Sequence, residues 1–171
     1  MVLVLMISSF ALDGYAQSQK DRKIINDAKE AKKTLLKADI GLEEFFENSA
    51  GYVLFPNVGK GGFIIGGASG NGVVYEGGTL VGMANLKKLN VGLQAGGQAI
   101  IEVIFFETAV DLERFTEGKF QFAAEASAVA IKSGIAANAQ YKDGVAVFAL
   151  PKAGLMADAS VGGQKFGYKP F

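Results

Sequence analysis

The glycine spacing around Lys60 is the part of this sequence that most invites a chemical reading. The stretch Pro56-Asn57-Val58-Gly59-Lys60-Gly61-Gly62-Phe63-Ile64-Ile65-Gly66-Gly67 sets a lysine among backbone groups unshielded by side chains, the raw material of a phosphate cradle. The spacing rules out the two common nucleotide loops. A dinucleotide fingerprint starting at Gly59 needs glycine at position 64, which is Ile64. A Walker loop ending in Gly59-Lys60 needs glycine where Leu54 stands and a hydroxyl where Gly61 stands. The stretch also leads into a strand pattern, not into a helix N-terminus that could receive an anion. It reads as a tight turn feeding a crowded strand, with Lys60 left for a non-nucleotide ligand or a partner surface.

Carboxylates are the remaining candidates for catalysis. Glu102 lies inside the apolar run Ile100–Phe106. The plain reading is an outward-facing or hydrogen-bonded side chain, and the sharper one is a buried, perturbed acid. Glu43, Glu44 and Glu47 could serve acid/base work or hold a cation, but a solvated helix face explains them, as it does Asp111 and Glu113. The chain of 171 residues has no histidine, cysteine or tryptophan. Ser-His-Asp and Cys-His triads are therefore impossible, and zinc, iron–sulfur and haem sites lose their commonest ligands. Without cysteine there are no disulfides to report the redox compartment. Calcium or magnesium binding and a carboxylate-only hydrolase stay open, yet no constellation of acids supports either. The expectation is a non-enzymatic protein with no cofactor. Lys plus Arg and Asp plus Glu balance at 17 each, which leaves no global field to draw in nucleic acid.

One basic surface has a binding mechanism. Residues Lys20 to Ala38 read as a helix with Ile24, Ala28, Ala31 and Leu35 on one stripe, widened by Ile25 and Leu36. Arg22, Lys29, Lys33 and Lys37 fall within roughly an 80° arc on the other side, drawn at about 100° per residue. Cations so placed contribute about 1 kcal/mol each near an anionic surface. The competing reading is an ordinary solvated face of a helix packed on a sheet.

The elements that must position these residues follow from pattern. Leu42 to Asn48 reads as a second short helix carrying Phe45 and Phe46, ended by Ser49-Ala50-Gly51. Beyond Gly51, short apolar runs are punctuated by glycine. Tyr52–Phe55, Phe63–Ile65, Val73–Tyr75, Thr79–Met83, Leu89–Leu93 and Ala99–Phe106 read as strands, with Asn71-Gly72 and Gly77-Gly78 as turn signals. Glu107–Thr116 reads as a short helix. Lys119–Ile131, Val145–Leu150 and Leu155–Val161 return to strands, the first with Ala124, Ala126, Ala128 and Ala130 alternating. Many strands and 23 glycines predict an α+β domain. Its core would be a strongly curved antiparallel sheet or barrel-like structure, with the N-terminal helices covering an edge or closing one end.

At the N-terminus, Val2 to Leu12 is an apolar run too short to span a bilayer as a helix, followed by Gly14-Tyr15-Ala16. That is the shape of a signal peptide cleaved after Ala16, although no Lys or Arg precedes the run and the natural start could lie upstream. No cysteine follows it to carry a lipoprotein anchor. The expectation is an exported protein, periplasmic or secreted and in contact with membrane, with residues 1–16 as leader and residues 17–171 as one domain.

The run Leu54 to Gly67 closely resembles the signature of SYLF domains. Val91-Gly92-Leu93-Gln94-Ala95-Gly96-Gly97-Gln98 is similar to that family's next glycine-rich segment. The Ile101–Phe106 run and the Lys152-Ala153-Gly154-Leu155 turn follow in the family's order, so the resemblance runs from about Lys29 to the C-terminus. It implies lipid binding. Eukaryotic members bind phosphoinositides and remodel membranes, yeast relatives bind actin filaments, and a basic amphipathic N-terminal helix is associated with membrane contact. Lys20 to Ala38 is the matching helix here, and Lys60 the matching lysine of the signature loop. Val91 stands where members often carry an aromatic, and no SH3 or FYVE module is readable. A bacterial-looking exported chain would meet neither phosphoinositides nor actin, so its ligand would differ. The expected partner is an anionic lipid or membrane surface, bound through Arg22, Lys29, Lys33, Lys37 and Lys60. The alternative is a protein-interaction or scaffold module, actin-binding-like, that uses the glycine-rich loop or a sheet edge.

Overall fold

The computed structural model describes residues 8–59, 67–88, 99–153 and 160–171, with side chains from residue 19 onward. Helix α1 spans Ser8–Ala38 and continues the pattern read from Lys20 toward the N-terminus. Helix α2 covers Leu42–Asn48, and α3 covers Ala109–Thr116. The strands are β1 (Gly51–Val58), β2 (Ala68–Glu76), β3 (Thr79–Lys88), β4 (Ile100–Phe106), β5 (Val129–Ala130), β6 (Val145–Pro151) and β7 (Gln164–Pro170). They form one seven-stranded sheet in the order β5-β6-β4-β1-β2-β3-β7.

The α+β class holds, with two corrections to the sheet. It is mixed, because β5 runs parallel to β6 while the other pairs are antiparallel. It is also not a closed barrel. β5 and β7 are its two edges, and β5 has only two residues with which to build a ladder. Among the described residues, a bridge between Ser127 and Ser160 joins the segments leading into those edges, and the Val161 and Gly162 amides donate to the Ala126 carbonyl beside it.

Each face of the sheet carries its own apolar cluster. The N-terminal helices cover a face rather than an edge or an end. Ala28, Ala31 and Leu35 of α1 and Leu42, Phe45 and Phe46 of α2 pack on Tyr52, Leu54, Val103, Phe105 and Phe148. Strand alternation sends Val53, Phe55, Ile104 and Phe106 to the opposite face. There they meet Leu112 and Phe115 of α3 and the rings of Phe120, Phe122 and Phe166. The central strands are buried on both sides, so β1 and β4 read as continuous apolar runs rather than as alternation. Fully burying one such Leu or Phe side chain stabilises the fold by about 1.5–3 kcal/mol.

Local chemistry sets the breaks. Gly77 and Gly78 both take positive φ, +55° and +82°, and close the β2–β3 hairpin as expected. Asn71-Gly72, in contrast, is no turn. It lies inside β2, paired with Asn85 and Ala84, where the missing Cβ of Gly72 lets the chain approach Leu54. In β1 the register shifts between Phe55 and Val58, where Pro56 cannot donate to a ladder. The Lys119–Ile131 strand reduces to β5. The rest of that segment is irregular, with a turn in which the Ala126 amide donates to the Ala123 carbonyl. Of Leu155–Val161, residues 155–159 lie outside the described residues, and Ser160 forms an isolated bridge with Ser127 rather than part of a strand. The expected strands Phe63–Ile65 and Leu89–Leu93 also lie outside them. β7, absent from the sequence reading, pairs along its whole length with β3.

Candidate functional site

Helix α1 presents the basic surface. Its apolar stripe faces the sheet as read, with Ala28, Ala31 and Leu35 buried and Ile24, Ile25 and Leu36 packed at the rim. Arg22, Lys29, Lys33 and Lys37 are all exposed. The fifth residue, Lys60, lies outside the described residues. From Lys20 to Ala38 the helix carries seven cations against three carboxylates in a chain that is neutral overall, so the positive charge is concentrated here.

The arc is not a row of independent ammonium groups. Lys33 pairs with Glu30 at 2.7 Å and Lys23 with Asp27 at 2.6 Å, both on the surface. Exposed pairs of this kind contribute about 0–1 kcal/mol and yield readily to a stronger anion. Lys32 has a different task that the pattern did not reveal. Its ammonium sits 4.5 Å from the Phe46 ring centre and 5.6 Å from that of Tyr52, clamping α1 to α2 and β1 by cation–π attraction. Beside the helix, a cleft of about 620 Å³ runs between α1 and the ends of β1 and β6, with Lys23 on one wall and Lys152 on another. A second cleft, of about 630 Å³, lies between β6 and residues 120–129 and is walled by Phe120, Phe122 and Phe148 beside Arg114 and Lys142. No helix among the described residues is long and apolar enough to cross a membrane.

The acids separate by position. Glu43, Glu44 and Glu47 lie on the exposed face of α2, as expected. Asp111 is a capping residue rather than one of a solvated pair. Its carboxylate accepts from the Thr108 amide while the Thr108 hydroxyl accepts from the Asp111 amide, a reciprocal cap on α3. Glu102 is not outward-facing. It is fully buried between β1 and β6, and its Oε2 accepts from Gln164 Nε2 at 2.9 Å. Burial pushes its carboxyl up to about 7, against the opposing pull of the Gln164 hydrogen bond and the Lys88 ammonium. Gln164 and Lys88 escaped the sequence reading because nothing in their spacing ties them to Glu102.

A family model described as Ysc84, Las17-binding protein actin regulator, matches residues 87–168. No curated protein matches the chain. The matched range starts at the end of β3 and reaches into β7, so it contains Glu102 and Gln164, while α1 and the Leu54–Gly67 block precede it. Residues 87–168, just under half of the chain, thus match the model of the Ysc84 family, the SYLF family that its glycine-rich blocks resemble.

Proposed function

We propose that this protein is a non-enzymatic, exported, envelope-located domain that binds anionic lipid at a membrane surface through the basic face of α1. One observation carries the reading. The apolar stripe of α1 is already committed to the sheet, while Arg22, Lys29, Lys33 and Lys37 all face out. That arrangement suits adsorption rather than deep insertion, because burying the stripe in lipid would require the helix to detach. Ile40, 69% exposed just beyond Lys37, adds an apolar contact at the end of the arc. Four cations supply roughly 4 kcal/mol near a strongly anionic surface, and less in salt.

Liposome flotation tests this. The parent should float with anionic vesicles at low salt, weakly at high salt and hardly at all with neutral vesicles. Reversing Lys29, Lys33 and Lys37 to Glu should abolish flotation and leave the thermal melt unchanged. If the triple variant still floats as the parent does, α1 is not the contact, and the cleft beside Phe120 and Phe122 becomes the lipid site to test. Export is read by intact mass on protein from the native host. Gln17 is expected as the first residue, and a mature chain that keeps Val2 to Leu12 would reject it.

The matched family's description names a Las17-binding actin regulator, which supports a second reading as a protein-interaction module. β7, which pairs on one side only among the described residues, is the surface that reading would use. A chain indifferent to every anionic vesicle would favour it.

A further inference from the structure

Three buried side-chain oxygens lack a partner among the described residues, and two of them, Glu102 Oε1 and Gln164 Oε1, belong to side chains already joined through their other ends; the third is Ser49 Oγ. Leaving buried acceptors unpaired is costly. Gln164 opens the edge strand β7 and Glu102 sits in central β4, four positions apart in the sheet order. Their hydrogen bond crosses the second apolar cluster, where Phe166 of β7 also packs on Phe55 and Phe115. Around Glu102, β1 contributes Phe55, β6 contributes Ala149 and β7 contributes Gln164, none of them charged. β3 supplies the one charged neighbour with a resolved effect, Lys88, whose ammonium donates to the Ser160 carbonyl.

We propose that Glu102 and Gln164 form a proton-operated latch that fastens β7 over the aromatic cluster when Glu102 is protonated and loosens it when Glu102 ionises. A proton on Oε1 turns one of the two stranded acceptors into a donor, so the acid can return a hydrogen bond to Gln164 Oε1. Ionisation removes that donor and leaves a negative charge inside an apolar cluster, partly offset by Lys88. The carboxyl is raised from 4.5 to about 7, so the folded state holds the proton more tightly than the unfolded chain does. The stability this confers is full below about pH 4.5 and is lost as pH rises toward 7. Among the described residues β7 has a ladder on one side only, so it is the element that gives way. The latch does not depend on the membrane reading.

The test is hydrogen exchange, corrected for intrinsic rates, together with thermal melts of the full chain from pH 5 to 8.5. In the parent, protection of residues 164–170 should fall roughly tenfold or more across neutrality while residues 24–38 stay protected. Glu102→Gln mimics the protonated acid and should flatten this dependence, melting higher than the parent at pH 8. Lys88→Met should move the transition to higher pH, because the ammonium favours the ionised acid. The latch is refuted if the parent's β7 protection ignores pH, if Glu102→Gln keeps the parent's slope, or if Lys88→Met leaves the transition where it was.

Discussion

Asp39 follows directly on the last residue of α1. In the fold it is a staple. It is 3% exposed, and its carboxylate accepts from the Ala136 amide at 2.7 Å, 97 residues along the chain, and from the Gly41 amide at 3.0 Å. Burial by itself would raise its carboxyl. The amides of Ala136, Gly41, Gly134 and Ile135 outweigh that and hold it below the usual 3.8. Asp39→Ala strands buried donors and should cost about 2–3 kcal/mol, with Asp39→Asn milder because one acceptor survives. A depressed carboxyl stabilises the fold above the unfolded value of 3.8, and the benefit is lost as pH falls through the folded one. The gap between melts of the parent and the alanine variant should therefore narrow as pH falls below 3.8. A gap as wide at pH 3 as at pH 6 would show that the charge plays no part.

Among the elements, glycine has two distinct uses. A Cβ on Gly72 in β2 would lie 2.5 Å from the Leu54 carbonyl and 2.6 Å from the Phe55 ring, and backbone cannot yield that space. Gly72→Val should destabilise by about 3 kcal/mol or prevent folding. Gly59, in the signature block, has nothing nearer among the described residues than Ala99 at 3.5 Å, so Gly59→Ala should melt close to the parent. Parallel melts decide it, and equal losses would mean the close approach at Gly72 is not what the fold needs. Loss of folding on Gly61→Val or Gly66→Val, with Lys60→Ala tolerated, is expected from the sequence at positions outside the described residues. Helix α2 and hairpin β2–β3 could be read in advance because their signals are local: an aromatic pair closed by glycine, and two consecutive glycines. β7 was missed because Phe166 and Tyr168 alternate around a glycine and two lysines, too weak a pattern without β3 beside it.

For the molecule as a whole, the sequence by itself determined the class, the covered helix face and the family resemblance that the model match over residues 87–168 supports. Apolar spacing at 3.6 and 2 residues is local information, and it fixes which side of α1 meets a core and which side keeps Arg22, Lys29, Lys33 and Lys37 in water. The absence of histidine and cysteine likewise bounds the chemistry before any fold exists. Tertiary structure alone decided that the sheet stays open, with a parallel two-residue edge, and that both faces of its central strands are covered. It also decided the fate of the polar residues. Asp39 finds amides 97 residues away, and Glu102 meets Gln164 at a separation of 62. A charge in an apolar run carries no mark of its partner, because that partner is set by which strands become neighbours across a core rather than by spacing along the chain.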